Sequence, residues 1–245
     1  MSLSPLHPLQ LNPETGEPYL RLPHPHQSIL ITPIRPVDAD ARVEILNDAR
    51  VYDYLSGIPH PYTREHAQEW TKLVTARSDE LLQQLQGPSH DQPKVVDGCP
   101  VMTLREVKED GTDIFIGDVS IARSSFVQIV DPVEKARLRA ENAARPNGDP
   151  EILYMIGDWL APSHHGRGIM TAAIQTLVHE WAVPRMGCRK ILVSVRKGNV
   201  GSRRVFEKLD FEFKGVLEDH QELTAPGRAG GPKWSLEIFE WMYRE

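Results

Sequence analysis

The stretch Trp159-Leu160-Ala161-Pro162-Ser163-His164-His165-Gly166-Arg167-Gly168-Ile169-Met170-Thr171 constrains this chain more than any other part of it. It reads as the end of a strand, a turn and the start of a helix. Gly166 and Gly168 remove side chains where backbone must approach something closely. The helix that follows leaves its first N–H groups unpaired and aims the positive end of its dipole at the same spot, which makes a site for phosphate. Ile169, Ala173, Leu177 and Trp181 share one face of that helix, with Ala172 nearby, so it is expected to pack on a sheet with its N-terminus open. Arg167 adds a positive charge at the mouth. Two glycines ahead of a helix also occur as a plain tight turn. Thr171 stands where the dinucleotide fingerprint needs its third glycine, so a nicotinamide cofactor is not indicated.

Charge and cysteine usage narrow the classes further. A formal charge of −6 gives no basic field to attract nucleic acid or an anionic membrane. Cys99 and Cys188 stand far apart, with no CxxC or Cys/His ligand spacing, so neither a disulfide framework nor a zinc site is expected. His24 and His26 lie among prolines without a partner at ligand spacing, and no metal is expected there either. Met1 to Leu11 lacks the charged start and apolar run of a secretion signal, and no stretch reaches the length of a membrane span. The expectation is a soluble cytoplasmic protein, with the nucleus as an alternative compartment.

Along the chain, prolines at 5, 8, 13, 18, 23 and 25 mark residues 1–27 as an irregular or extended arm, and residues 28–245 read as a single domain. Ser28 to Ile34 alternates as a strand, and Pro36-Val37-Asp38 opens a short helix through Leu46. Thr63 is placed to cap a helix over 64–85 with Ala67, Trp70, Val74 and Leu81 on one face, beside which an acceptor pocket is expected. After a break from Gly87 to Gly98, Pro100 to Val107 and Asp113 to Ala122 read as a hairpin. Residues 131–149 read as a solvated insertion, partly helical. Then follow a strand Ile152 to Leu160, a helix from Gly168 to about Val183, a strand Lys190 to Arg196, a helix Asn199 to Leu209, and strands Phe211 to Leu217 and Trp234 to Tyr243. That mixture predicts an α/β domain with one mixed sheet. Trp70, Trp181, Trp234 and Trp241 are expected to pack in the core or on the sheet, and Cys188 to be structural or merely at the surface.

From Trp159 to Phe211 the sequence resembles the coenzyme-A-binding half of the GNAT acetyltransferases. WLAPSHHGRGIM is similar to their strand, turn and pyrophosphate-binding helix, and ILVSVRKGNVGSRRVFEKLDF to the strand and helix that follow. LITPIRPVDADARVEILND and PYTREHAQEW resemble the branch that acetylates the N-termini of ribosomal proteins, including the alanine acetyltransferases. The resemblance implies an α/β (α+β) fold: a mixed, mostly antiparallel sheet of about seven strands flanked by helices, its central strands splayed. It implies acetyl-CoA as co-substrate, with no metal, and transfer of the acetyl group to a primary amine by direct attack in a ternary complex. The acceptor would be a protein N-terminus or a small molecule, and the protein a monomer or homodimer. The cofactor would touch Trp159, Leu160, His165, Gly166, Arg167, Gly168, Ile169, Met170, Thr171, Asn199, Ser202 and Phe206.

Three departures from the family pattern matter. The signature of Gln or Arg, two residues, Gly, one residue, then Gly or Ala falls on His165, Gly168 and Met170, of which only Gly168 matches. Phe206 stands where many members carry a tyrosine acid, so either Ser202, a water or another residue protonates the departing thiolate, or the thiolate leaves unassisted. Asp210 replaces the usual glycine before Phe211. Asn199 and Ser202 are also natural helix-capping residues. Asp118 and Asp158, each after a glycine on strands expected to lie side by side, are candidate general bases, with His164 and His165 behind them as a solvated pair. An α-amine with pKa about 7.8 needs far less help than a lysine near 10.4. Two alternatives stand beside the enzyme: a GNAT-like acyl-CoA sensor or interaction module that does not turn over, and an unrelated nucleotide enzyme.

Overall fold

The computed structural model describes residues 4–86 and 94–244. Positions 87–93 of the expected Gly/Pro/Asp-rich break lie outside the described residues. A nine-stranded sheet runs through the molecule. In chain order its strands are β1 (Gln10–Leu11), β2 (Pro18–Arg21), β3 (Ile29–Thr32), β4 (Thr103–Val107), β5 (Asp113–Arg123), β6 (Leu153–Leu160), β7 (Lys190–Arg196), β8 (Glu212–Gln221) and β9 (Trp234–Met242). Their spatial order is β1-β2-β3-β4-β5-β6-β7-β9-β8, antiparallel throughout except for β6 beside β7. The helices are α1 (Ala39–Leu46), α2 (Ala49–Tyr52), α3 (Arg64–Leu85), α4 (Pro132–Ala144), α5 (Ile169–Thr176), α6 (Val183–Met186) and α7 (Val200–Glu207).

The mixed, mostly antiparallel sheet holds as expected, but with nine strands where about seven were anticipated. The two extra ones come from the proline-rich arm. Its prolines lie outside the strands or, as Pro18, at the first residue of β2, a position where proline is tolerated. Leu9, Leu20 and Leu22 are buried in the main core and tie the arm down. The 131–149 segment contains α4, whose start is capped by Asp131 accepting from the Glu134 N–H at 2.7 Å.

The helix expected over 168–183 is interrupted. α5 gives way to a π-helical turn over Leu177–Ala182 before α6. Pro184, in the first turn of α6, lacks the N–H that a continuous α-helix would need there, and the wider turn accommodates it. Trp181 stays fully buried and donates its indole N–H to the Gly98 carbonyl at 2.8 Å. α3 begins as its sequence indicates: the His66 N–H donates to Thr63 Oγ1 at 3.4 Å and the Thr63 N–H to His66 Nδ1 at 3.1 Å.

The feature that makes a site is the parting of β6 and β7. They pair in register only at Leu153 with Lys190 and Tyr154 with Ile191, and both strands run on unpaired to Leu160 and Arg196. On their outer sides β5 and β9 hold them along their length. The central strands are therefore splayed.

Candidate active site

A cleft of about 1050 Å³ opens where β6 and β7 separate. One wall is the turn before α5 together with α7; the other is the segment around α2 with the first turns of α3.

The first wall presents unpaired backbone N–H groups to the cleft. Gly166 and Gly168 adopt φ of 73° and 80°, the left-handed region that costs other residues strain. Gly168 is the N-cap of α5 and offers no side-chain cap. The N–H groups of Gly168, Ile169, Met170 and Thr171 donate to no protein acceptor among the described residues. The Met170 side chain is buried in the core, which resolves how a large residue stands at a position usually small: its side chain turns inward and its N–H faces out.

Arg167 differs from expectation. Its guanidinium donates to Glu106 Oε1 at 3.2 Å, and the same carboxylate meets Lys108 and His164 Nε2, the latter at 3.5 Å. The Lys108 ammonium, helped by Arg167 and His164, holds the Glu106 carboxyl down at about 2. Arg167 thus reaches toward β4 from an exposed position and is not among the residues that line the cleft. Arg204 on α7 and Lys208, its C-cap one turn further on, instead line the cleft with no acidic partner among the described residues. Their i,i+4 spacing is visible in the sequence.

The two histidines of the turn do not form a solvated pair. His164 is 6% exposed, with Nδ1 at 2.8 Å from Ser163 Oγ. His165 is exposed and its Nε2 lies 2.8 Å from the Leu160 carbonyl, so it closes the free end of β6. Asn199 caps α7 through Oδ1, which accepts from the Ser202 N–H at 3.1 Å. The Ser202 hydroxyl lines the cleft with no protein partner among the described residues. Phe206 is buried edge-on against Phe211, 5.1 Å between ring centroids, and carries no proton to give. Asp210 adopts φ of 58°, so the turn that glycine usually makes here is kept by a residue that tolerates the left-handed region.

In the gap itself, the Ser124 N–H donates to Leu153 O at 2.8 Å and the Ala161 N–H to Ile116 O at 2.7 Å. Odd-numbered residues of β6 therefore turn their backbone groups to β5. By alternation the N–H groups of Ile156, Asp158 and Leu160 point toward the parted β7. Trp159 packs edge-on to Phe115, with ring centroids 5.6 Å apart.

The two candidate carboxylates separate sharply. Asp118 lies across from Trp159 and Asp158 across from Val119, one step apart in register, so they occupy opposite faces of the sheet. Asp118 is 3% exposed and pairs with Arg42, which is 1% exposed; Arg42 Nη2 donates to Oδ1 at 3.1 Å and the second nitrogen grips Oδ2. Thr103 Oγ1 donates to Asp118 as well, at 3.3 Å. Burial pushes the Asp118 carboxyl up and Arg42 pulls it back. Asp158 is half-buried with no hydrogen-bond partner among the described residues, and loss of solvation alone pushes it up to about 6. Cys188 is fully buried, its thiol pushed up to about 12, and is inert. Arg42 gave no sequence signal, because its partner is 76 positions away.

Residues 28–212 match the family model described as "Acetyltransferase (GNAT) domain". The Probable N-acetyltransferase YjcK of Bacillus subtilis (strain 168) is 38% identical over 79 residues, which is 28% of this chain and 43% of that protein, so the chain spans less than half of this curated relative. Among solved structures, RimL, a ribosomal L7/L12 alpha-N-protein acetyltransferase in complex with coenzyme A, superposes with a TM-score of 0.57 at 13% identity over 91% of this chain and 97% of its own. The ribosomal-protein-S5-alanine acetyltransferase of Vibrio fischeri gives 0.57 at 15% identity over 91% and 96%. At these identities the likeness is one of fold. No helix among the described residues is long and apolar enough to cross a membrane.

Proposed function

This chain belongs to the GNAT acetyltransferase family, and we propose that it transfers an acetyl group from acetyl-CoA to a primary amine by direct attack. The observation that carries the reading is the parted β6–β7 seam, with free backbone N–H groups in the gap and four more at the start of α5. The residues present fit the cofactor: the amides of Gly168 to Thr171 suit a pyrophosphate, and the gap suits an extended chain that pairs with β6. When bound, acetyl-CoA supplies the activated acyl thioester.

The chain's own residues do the rest. N–H groups of β6 stand ready to polarise a carbonyl laid in the gap, and preorganised donors of this kind are worth about 3 kcal/mol each. Asp158, raised to about 6 by burial and free of competing partners, is ionised at neutral pH and able to take the proton of the attacking amine. Asp118 serves instead to fix Arg42 in the core beneath the cleft. The free Ser202 hydroxyl takes the place of the missing tyrosine as proton donor toward sulfur, because Phe206 has nothing to donate.

The test is calorimetric titration with acetyl-CoA against ATP and NAD, followed by thiol release with added amine. Selective micromolar binding of acetyl-CoA and amine-dependent release of free thiol are expected. Binding without release from any amine would favour a sensor, the reading that Phe206 at this position supports. Preference for ATP or NAD would discard both.

A further inference from the structure

We infer that the α2–α3 wall of the cleft selects an amine whose adjoining carbon bears a large apolar or aromatic group; the inference rests on the acetyltransferase reading. His66, Glu69, Trp70 and Leu73 fall at i, i+3, i+4 and i+7 of α3 and all line the cleft. Trp70 is 39% exposed, Leu73 63%, and Tyr54 on the facing segment 40%, while the helix they belong to or face is otherwise anchored in the core. Large apolar side chains left open on the rim of a cavity that continues into the acyl gap are a subsite for apolar carbon.

The charges on this wall point the same way. On this wall Arg42 is consumed by Asp118, Arg50 lies against Asp48 with its Nε donating at 2.9 Å, and Arg196 donates to the Asp53 carbonyl and lies over the Tyr54 ring. Each cation is already engaged, whereas Glu69 has no cationic partner among the described residues. His66 accepts the Thr63 N–H at Nδ1, so in its neutral form the ring carries its proton on Nε2 and offers a donor to an acceptor carbonyl. Beside this wall an acidic side chain next to the amine would lose hydration close to Glu69, with the wall's own cations already engaged. One next to an apolar side chain buries it against Trp70 and Leu73.

The segment facing α3 is held rigidly enough to discriminate. The His60 N–H donates to Pro226 O at 2.9 Å, and Arg228 donates to the Tyr52 carbonyl at 2.7 Å. Arg196 lies over the Tyr54 ring at 5.7 Å. The loop between β8 and β9 therefore backs the wall from outside.

The experiment uses the α-amides of phenylalanine, leucine, alanine, serine and aspartate, whose amino groups differ little in basicity, and follows thiol release. The expected order is phenylalanine and leucine above alanine and serine by at least about tenfold, with aspartate lowest. Trp70→Ala and Leu73→Ala should each shrink the phenylalanine-to-alanine ratio about tenfold or more, through KM, while calorimetry shows acetyl-CoA affinity kept. Equal rates across the amides, a lead for aspartate, or a ratio untouched in both variants overturns the inference and leaves the acetyltransferase reading standing. Acetyl-CoA bound but no amide acetylated overturns the inference, and no acetyl-CoA binding overturns both.

Discussion

The two walls of the cleft were made in different ways. The wall with the free N–H groups comes almost whole from one stretch of chain: the turn, the left-handed glycines and the start of α5 lie within residues 161–171, with α7 close behind. The α2–α3 wall is assembled from four distant places, namely α1, the segment after α2, α3 and the β8–β9 loop, and each depends on the others for its position. A wall set by local backbone geometry is robust to change elsewhere. One set by long-range packing responds to changes far from the cleft.

The largest test of that contrast is Arg42→Ala. It leaves Asp118 buried without its partner, and breaking a buried pair in this way costs about 3–5 kcal/mol. Denaturant unfolding should register the loss. A fall within 1 kcal/mol would mean that Asp118 is relieved by protonation or water, and that the second wall depends less on this pair than its burial implies.

Next in size is a pair of glycine substitutions. Gly168→Val forces a β-branched residue to φ of 80° at the N-cap of α5 and should weaken acetyl-CoA binding at least about tenfold, from a strain of about 1–2 kcal/mol and displaced amides. Gly227→Val, at φ of 75° with a Cβ that would collide with the His60 carbonyl oxygen, should raise the amine KM by a similar factor and leave acetyl-CoA affinity unchanged. Calorimetry and initial rates separate the two outcomes. If Gly227→Val also weakens acetyl-CoA, the walls are coupled and the contrast fails.

How much was legible follows the same division. Turn, glycines, α5 and the capped α7 stood in consecutive residues whose chemistry is local, and so did α3 with its Thr63 cap. The arm's strands were missed because prolines argue against strand in isolation, whereas burial of Leu9, Leu20 and Leu22 decides the matter in the fold. The pairing of Arg167 has no sequence signal, because only the fold brings Glu106 to it, across 61 positions. The proximity of β5 and β6 was foreseen, yet a one-residue difference in register put Asp118 and Asp158 on opposite faces, and no pattern in one sequence fixes a register so finely.

Asp158→Asn addresses the gap between the walls. The folded carboxyl titrates near about 6, above the value of about 3.9 for an unfolded aspartate. Between those values the unfolded chain gives up its proton first, so this group lowers stability as pH rises from about 4 to about 6, and the loss persists above. The asparagine variant should therefore melt higher than the native chain at pH 7 and match it near pH 4. In kcat/KM, the limb near pH 6 should vanish in the variant while the limb set by the acceptor amine, near about 7.8, remains. A variant with both limbs intact would exclude Asp158 as the base.

The smallest effect expected is at Asp210. Its φ of 58° is a conformation that glycine adopts without penalty, and it closes α7 through the Phe211 N–H donating to Phe206 O at 3.1 Å. Asp210→Gly should stabilise the protein by about 1 kcal/mol, offset in part by the greater freedom of glycine in the unfolded chain. Because this turn sits at the far end of the α7 wall, acetyl-CoA affinity should stay the same. A gain in stability accompanied by a change in that affinity would show that the position of Arg204 and Lys208 depends on how α7 ends, and the first wall would then be less local than its sequence suggests.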